Sequence, residues 1–125
     1  MTTWHEVSMD CYEAAGMLFR NRRWRSSASR AYYAVFSIVT GALHGRVTFP
    51  SGHETPPHRE LPNLIENHLT DLAAGPRREL KQIVRRLYTL RLMADYRRLQ
   101  TTDDRSARRA LSDVTAAYRI LGVRK

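Results

Sequence analysis

Along the chain, apolar residues recur every three to four positions in five stretches, separated by Gly, Pro and polar residues. That period belongs to amphipathic helices, and no useful run shows the period of two that a strand needs. The first stretch predicts a helix over about residues 6–21, with Val7, Cys11, Ala14 and Leu18 on one face. The second predicts a helix over 24–44. Ala28, Ala31, Val35, Ile38 and Ala42 form its stripe, and Tyr32, Phe36, Val39 and Leu43 widen it. A face that wide gives this helix the central place. The Gly/Pro-rich stretch 45–57 is the one long loop, and loops of that length are often functional or mobile. A short helix is predicted over 59–72, with Pro62 tolerated only in its first turn. Gly75-Pro76 is expected to break the chain before a fourth helix over 77–99, with Leu80, Ile83, Val84, Leu87 and Ala94 facing in. Asp103 or Asp104 can cap a fifth helix. That helix carries Ala107, Ala110, Leu111, Val114, Ala117, Tyr118 and Leu121 and stops at Gly122. Short links favour antiparallel neighbours. The fold class is therefore all-α, an up-and-down antiparallel helical bundle of four to five helices in one domain over 1–125.

Composition leaves that picture standing. A domain of 125 residues buries roughly two-thirds of its unfolded-chain surface, so it needs no disulfide or metal staple. The single cysteine, Cys11, excludes an intramolecular disulfide framework and sits on an apolar face, where it reads as a core thiol rather than a nucleophile. No apolar run is long enough to span a bilayer, and the acidic N-terminal stretch does not read as a leader. The expectation is a cytoplasmic protein with no membrane partner.

Charge changes the picture more. Lys plus Arg total 21 against 12 Asp plus Glu, a net charge of +9. The 19 arginines against 2 lysines also fit codon bias, so the distribution has to decide. Residues 20–30 hold five arginines and no acid. Residues 77–98 hold seven arginines and Lys81 against Glu79 and Asp95, a net of +6. Together these stretches carry +11, more than the whole chain, so the excess is localised. A localised basic surface is the electrostatic footprint of a partner such as RNA, or else a solvated face.

Two places break the apolar stripes. On the fourth helix Arg91 follows Leu87 by four residues, which puts it on or beside the core face, and Asp95 at i+4 can pair with it. Burying an unpaired guanidinium is costly, so the pairing is close to obligatory. On the second helix Ser26, Arg30, Tyr33, Ser37 and Thr40 form a polar stripe. The economical reading joins that stripe to Arg91 and Asp95 as one seam, either a network that fixes helix register or a cleft for phosphate or base.

These residues also carry a family resemblance. Ser29-Arg30-Ala31-Tyr32-Tyr33-Ala34-Val35-Phe36 resembles the "RAYYAvF" helix of bacterial HEPN-domain proteins. Arg86-Leu87-Tyr88-Thr89-Leu90-Arg91-Leu92-Met93-Ala94-Asp95-Tyr96 resembles that group's "LRxxADY" segment. His53 stands near the place of a Thr-His-Ser-Gly turn in these proteins, and order and spacing agree over about residues 8–100. The resemblance implies a helical bundle that often forms a homodimer and is often paired with a small nucleotidyltransferase antitoxin. Many such proteins are metal-independent ribonucleases and toxins of toxin–antitoxin or other defence systems. Others are inactive modules that bind nucleic acid or nucleotide, or dock the nucleotidyltransferase. Active members carry Arg and then, four to six residues on, His. Here the fifth position after Arg91 is Tyr96, and a phenol with an ordinary pKa near 10 is a poor base at neutral pH.

The resemblance implies the following roles. Arg91 would stabilise the transition-state phosphate, with Asp95 as its carboxylate. Tyr96, Tyr33 or His53 would handle protons, His53 leaning over the seam. Arg30 would orient the RNA backbone, and Arg85, Arg86, Arg97 and Arg98 would bind it. Tyr96 would be the modification target if the partner transfers nucleotides to tyrosine. No metal or cofactor is implied. His53 and His58 lie at i, i+5 across Pro56-Pro57, which forbids the helical pair of a zinc protease. His44 and His68 read as helix-end residues. Trp24, among Arg22, Arg23 and Arg25, either stacks a base or anchors the start of a core helix.

Overall fold

Thr3 opens the first helix. Its hydroxyl accepts a hydrogen bond from the Glu6 amide at 3.1 Å, which satisfies one of the amides a helix start leaves without a partner. The computed structural model describes residues 2–50, 53–96 and 101–123. Helix α1 spans Trp4–Arg20 and closes in a Schellman turn. The Arg23 amide donates to the Leu18 carbonyl at 2.8 Å and the Arg22 amide to the Phe19 carbonyl at 3.0 Å. Arg22 takes a φ of 59°, the left-handed region that glycine usually fills. This tight reversal launches α2, Trp24–Leu43, back along α1.

The chain then runs through the 44–57 loop into a single 3-10 turn, His58–Glu60, and the short α3, Leu61–His68. Helix α4, Ala74–Tyr96, and α5, Asp104–Leu121, complete the bundle. Asp103 caps α5 by accepting from the Ser106 amide at 2.9 Å, and Gly122 closes it with a φ of 69°. Among the described residues there are five α-helices and no strand, and no helix is long and apolar enough to cross a membrane. The expected all-α bundle is the fold. Helix α2 is its axis: Ala31, Tyr32, Val35, Val39 and Leu43 are buried beside Ile65 of α3, Leu80, Ile83 and Leu87 of α4, and Val114 and Tyr118 of α5.

The structure corrects the sequence reading of three elements. Helix α1 turns a different face inward. Ser8 and Ala15 are fully buried, whereas Val7, Cys11, Ala14 and Leu18 are half-buried. The reason is close approach. Ser27 Oγ donates to the Ala15 carbonyl at 2.8 Å and Ser8 Oγ to the Ala34 carbonyl at 2.5 Å, so small residues line the contact between α1 and α2. The Tyr118 hydroxyl of α5 lies 2.7 Å from Ser8 Oγ and 3.2 Å from the Ser8 carbonyl, tying three helices to one buried point. Helix α3 is shorter than predicted, with Pro62 in its first turn as expected. Gly75-Pro76 does not break the chain. Both residues sit in the first turn of α4, where proline's missing N–H costs nothing, and the Arg77 amide reaches back to the Ala73 carbonyl at 3.0 Å. The predicted continuation of the fourth helix to Leu99 lies outside the described residues.

Candidate nucleic-acid interface

Antiparallel packing sets the start of α2 against the end of α4. Arg25 Nη1 donates to the Ala94 carbonyl at 2.9 Å, and Ser29 Oγ donates to Asp95 Oδ2 at 3.3 Å. Asp95 also holds Arg91, whose Nε lies 3.2 Å from the same oxygen, while Arg91 Nη2 donates to the Tyr96 hydroxyl at 3.3 Å. The guanidinium carbon stands 5.3 Å from the Tyr33 ring centre, 5.5 Å from Tyr96 and 5.8 Å from Tyr32. A delocalised, weakly hydrated cation suits such a ring of π-faces, where lysine's compact ammonium would not. The Arg91 side chain is 13% exposed, and Tyr96 is 69% exposed. The cation is therefore shielded on the bundle side while its phenol partner reaches solvent.

Behind this cluster lies a residue that sequence reasoning did not place there. His58, from the 3-10 turn, hydrogen-bonds through Nδ1 to the Tyr32 hydroxyl and stacks on Phe36 at 4.3 Å and on Tyr88 at 6.0 Å between ring centres. Burial, and then the charge of Arg91, push the His58 pKa below its ordinary value. Burial likewise pushes the Tyr32 phenol up, against a smaller opposing pull from Arg91. Both partners are therefore neutral at neutral pH. A lowered His58 pKa means that the unfolded chain takes up the proton first on acidification. The stabilisation is complete above the ordinary histidine value and is lost as pH falls below it. The thermal midpoint of the wild type is expected to fall between about pH 6.5 and pH 5 more steeply than that of His58→Gln, in paired scans at each pH.

The other nominated residues fall in different places. Tyr33 joins the cluster, but Arg30 is exposed and lies towards α1, where its charge acts on the Cys11 thiol. Ser37 and Thr40, from the same polar stripe, are buried, and Ser26 is exposed. His53 is exposed in the loop, its amide donating to the Pro50 carbonyl at 2.9 Å. Among the described residues the histidine packed against the cluster is His58. Proline stiffens the chain before it at Pro56-Pro57, the only sequence hint of its fixed position. Arg85 and Arg86 stand about 120–140° around α4 from Arg91. Arg86 forks onto Asp113 of α5, with Nη2 to Oδ1 at 2.8 Å and Nε to Oδ2 at 3.3 Å. Arg97 and Arg98 lie outside the described residues.

Charge that is dispersed in sequence gathers at one end of the bundle. The end of α1 brings Arg20, the reversal Arg22 and Arg23, the start of α2 Arg25, and the end of α4 Arg91. The start of α5 belongs to the same end, because the Arg108 guanidinium lies 5.6 Å over Phe19, which packs 5.0 Å from Trp24. Trp24 thus anchors the helix start against α1.

The molecule so described is an all-helical bundle with a basic end and an arginine set among phenols on its central seam. A family model, the HEPN domain, matches residues 1–123, and the chain belongs to that family. Membership carries a general nucleotide- or RNA-related role. No curated protein and no solved structure matches the chain.

Proposed function

We propose that this protein acts on RNA. The basic end of the bundle holds the phosphodiester backbone, and Arg91 stabilises the phosphate at which the strand is cut without metal. In this reading it is the ribonuclease-like toxin of a toxin–antitoxin or defence pair, cytoplasmic, working as a homodimer and restrained by a nucleotidyltransferase partner. The observation that supports it is the gathering of Arg20, Arg22, Arg23 and Arg25 at the end of the bundle where Arg91, far away in sequence, also sits.

The chemistry would be internal transesterification. The ribose 2′-hydroxyl attacks the adjacent phosphorus, the bond to the 5′-oxygen breaks, and a cyclic phosphate and a 5′-hydroxyl result. The 2′-hydroxyl gives up its proton to water, and the departing 5′-oxygen gains one from an acid beside it, which water then reprotonates. A fixed guanidinium at the phosphate offsets the charge that builds up on it. An exposed phenol such as Tyr96 suits proton donation to the departing oxygen better than proton abstraction. Asp95 and Ser29 act as positioning groups that aim Arg91.

A second reading has its own support. Arg91 already spends Nε and Nη2 on Asp95 and Tyr96, and Tyr96 stands where active relatives have His. On that reading the chain binds RNA or nucleotide and does not cut. The test is a cleavage assay on end-labelled tRNA in EDTA, with filter binding over a salt series. Discrete products support the ribonuclease. Uncut RNA bound with an affinity that falls steeply with salt supports the module, each released phosphate contact adding about −0.7 to the log–log slope for a single strand. Neither cleavage nor binding would sink both readings.

A further inference from the structure

Between α4 and α5, on the face of α4 turned away from Arg91, lies a cavity of about 420 Å³. Its floor is apolar: Leu87 and Ala110 are buried, and Leu90 and Met93 are half-buried with open surface towards the groove. Its rim is cationic, with Arg85 on α4 and Arg109 on α5, both exposed. The Arg86–Asp113 fork bridges the two helices within it. Asp113 is thus spent, and among the described residues no carboxylate pairs with Arg85 or Arg109.

We propose that this groove docks an acidic amphipathic helix of a partner protein, its apolar side chains over Leu90 and Met93 and its carboxylates on Arg85 and Arg109. Three observations select that occupant. A hydrophobic floor between charged walls is the form of a helix-in-groove site, read by apolar residues at i, i+3, i+4 and i+7. A second copy of this chain is disfavoured, because apposing two such rims sets arginine against arginine in a protein of net charge +9. RNA is disfavoured because none of the lining residues is aromatic, so there is no platform on which a base could stack. Distance around α4 also separates the groove from the Arg91 cluster, so the two surfaces can be occupied independently.

Met93 supplies a direct reporter. The full-length protein, labelled at its methionine methyl groups, would be titrated with a synthetic 16-residue helix bearing Leu at i, i+3, i+4 and i+7 and Glu on its flanks. The Met93 resonance is expected to shift and saturate, while those of Met9 and Met17 on α1 stay in place. Arg85→Glu/Arg109→Glu should weaken that peptide at least tenfold and accept the Lys-flanked version instead. The variant keeps the apolar floor, and an unchanged melting profile will show that it folds. No saturating Met93 shift, equal response to Glu- and Lys-flanked peptides, or displacement of the peptide by a 16-nucleotide RNA would each overturn the proposal.

Discussion

Arg91→Ala is expected to abolish metal-independent RNA cleavage, a loss of about 10²–10³-fold or more, while leaving the bundle folded. The guanidinium is a fixed cation held by Asp95 on one side and three tyrosine rings around it. Alanine removes the charge, and Asp95 keeps Ser29 and partial access to water, so the cost in stability should stay near 1–2 kcal/mol. Asp95→Ala is the sterner change for the fold, since it leaves the guanidinium among aromatic rings without its carboxylate. Partial exposure of both side chains holds that cost to about 1–3 kcal/mol. Arg91→Lys should not restore cleavage, because an ammonium cannot serve the carboxylate, the phenol and a phosphate in one plane. Cleavage rates in EDTA beside chemical-denaturation curves check this. If Arg91→Ala lowers stability by more than about 3 kcal/mol and handles RNA like the wild type, the cluster is structural cement.

Ser8→Val should be the most damaging single change to the fold outside the large apolar core. Ser8 is fully buried, and its hydroxyl serves the Ala34 carbonyl and the Tyr118 hydroxyl together. Valine supplies neither bond, leaves the 1%-exposed Tyr118 phenol only its 3.2 Å bond to the backbone carbonyl of residue 8, and adds a methyl group where helix backbones approach closely. Two lost buried hydrogen bonds cost about 1–3 kcal/mol together and overpacking a similar amount. The sum, about 2–5 kcal/mol, should lower the thermal midpoint by about 10 °C or more. Tyr118→Phe should cost clearly less, because it removes a donor without adding bulk. Calorimetry on both variants separates the two terms.

The helices were legible because each carries a 3.6-residue apolar period and ordinary caps, as at Asp103 and Gly122. The face of α1 was not, because reading by large apolar residues gives no weight to Ser8 and Ala15. Their contribution is the approach they permit, which depends on Ala34 and Ser27 opposite. The same limit applies to the seam. The i, i+4 spacing sets Asp95 beside Arg91, and the aligned tyrosine of α2 comes with it. The direction of Arg30 follows from where α1 lies, and the place of His58 from the tertiary packing that sets it on Tyr32 and Phe36 of α2. Neither is a property of local spacing. The meeting of the first basic stretch with Arg91 was implicit in the antiparallel topology and needed only the knowledge that α2 begins where α4 ends.

The Schellman turn at the end of α1 sets the stability of the fold against the charge of its surface. Arg22 occupies a left-handed position that costs a side-chain-bearing residue roughly 1–2 kcal/mol and glycine little. A readily available gain in robustness has thus been left unused, at a position that projects positive charge from the basic end. Glycine at this position would make the turn more robust and remove one positive charge from the basic end, so stability and surface charge pull in opposite directions at a single residue.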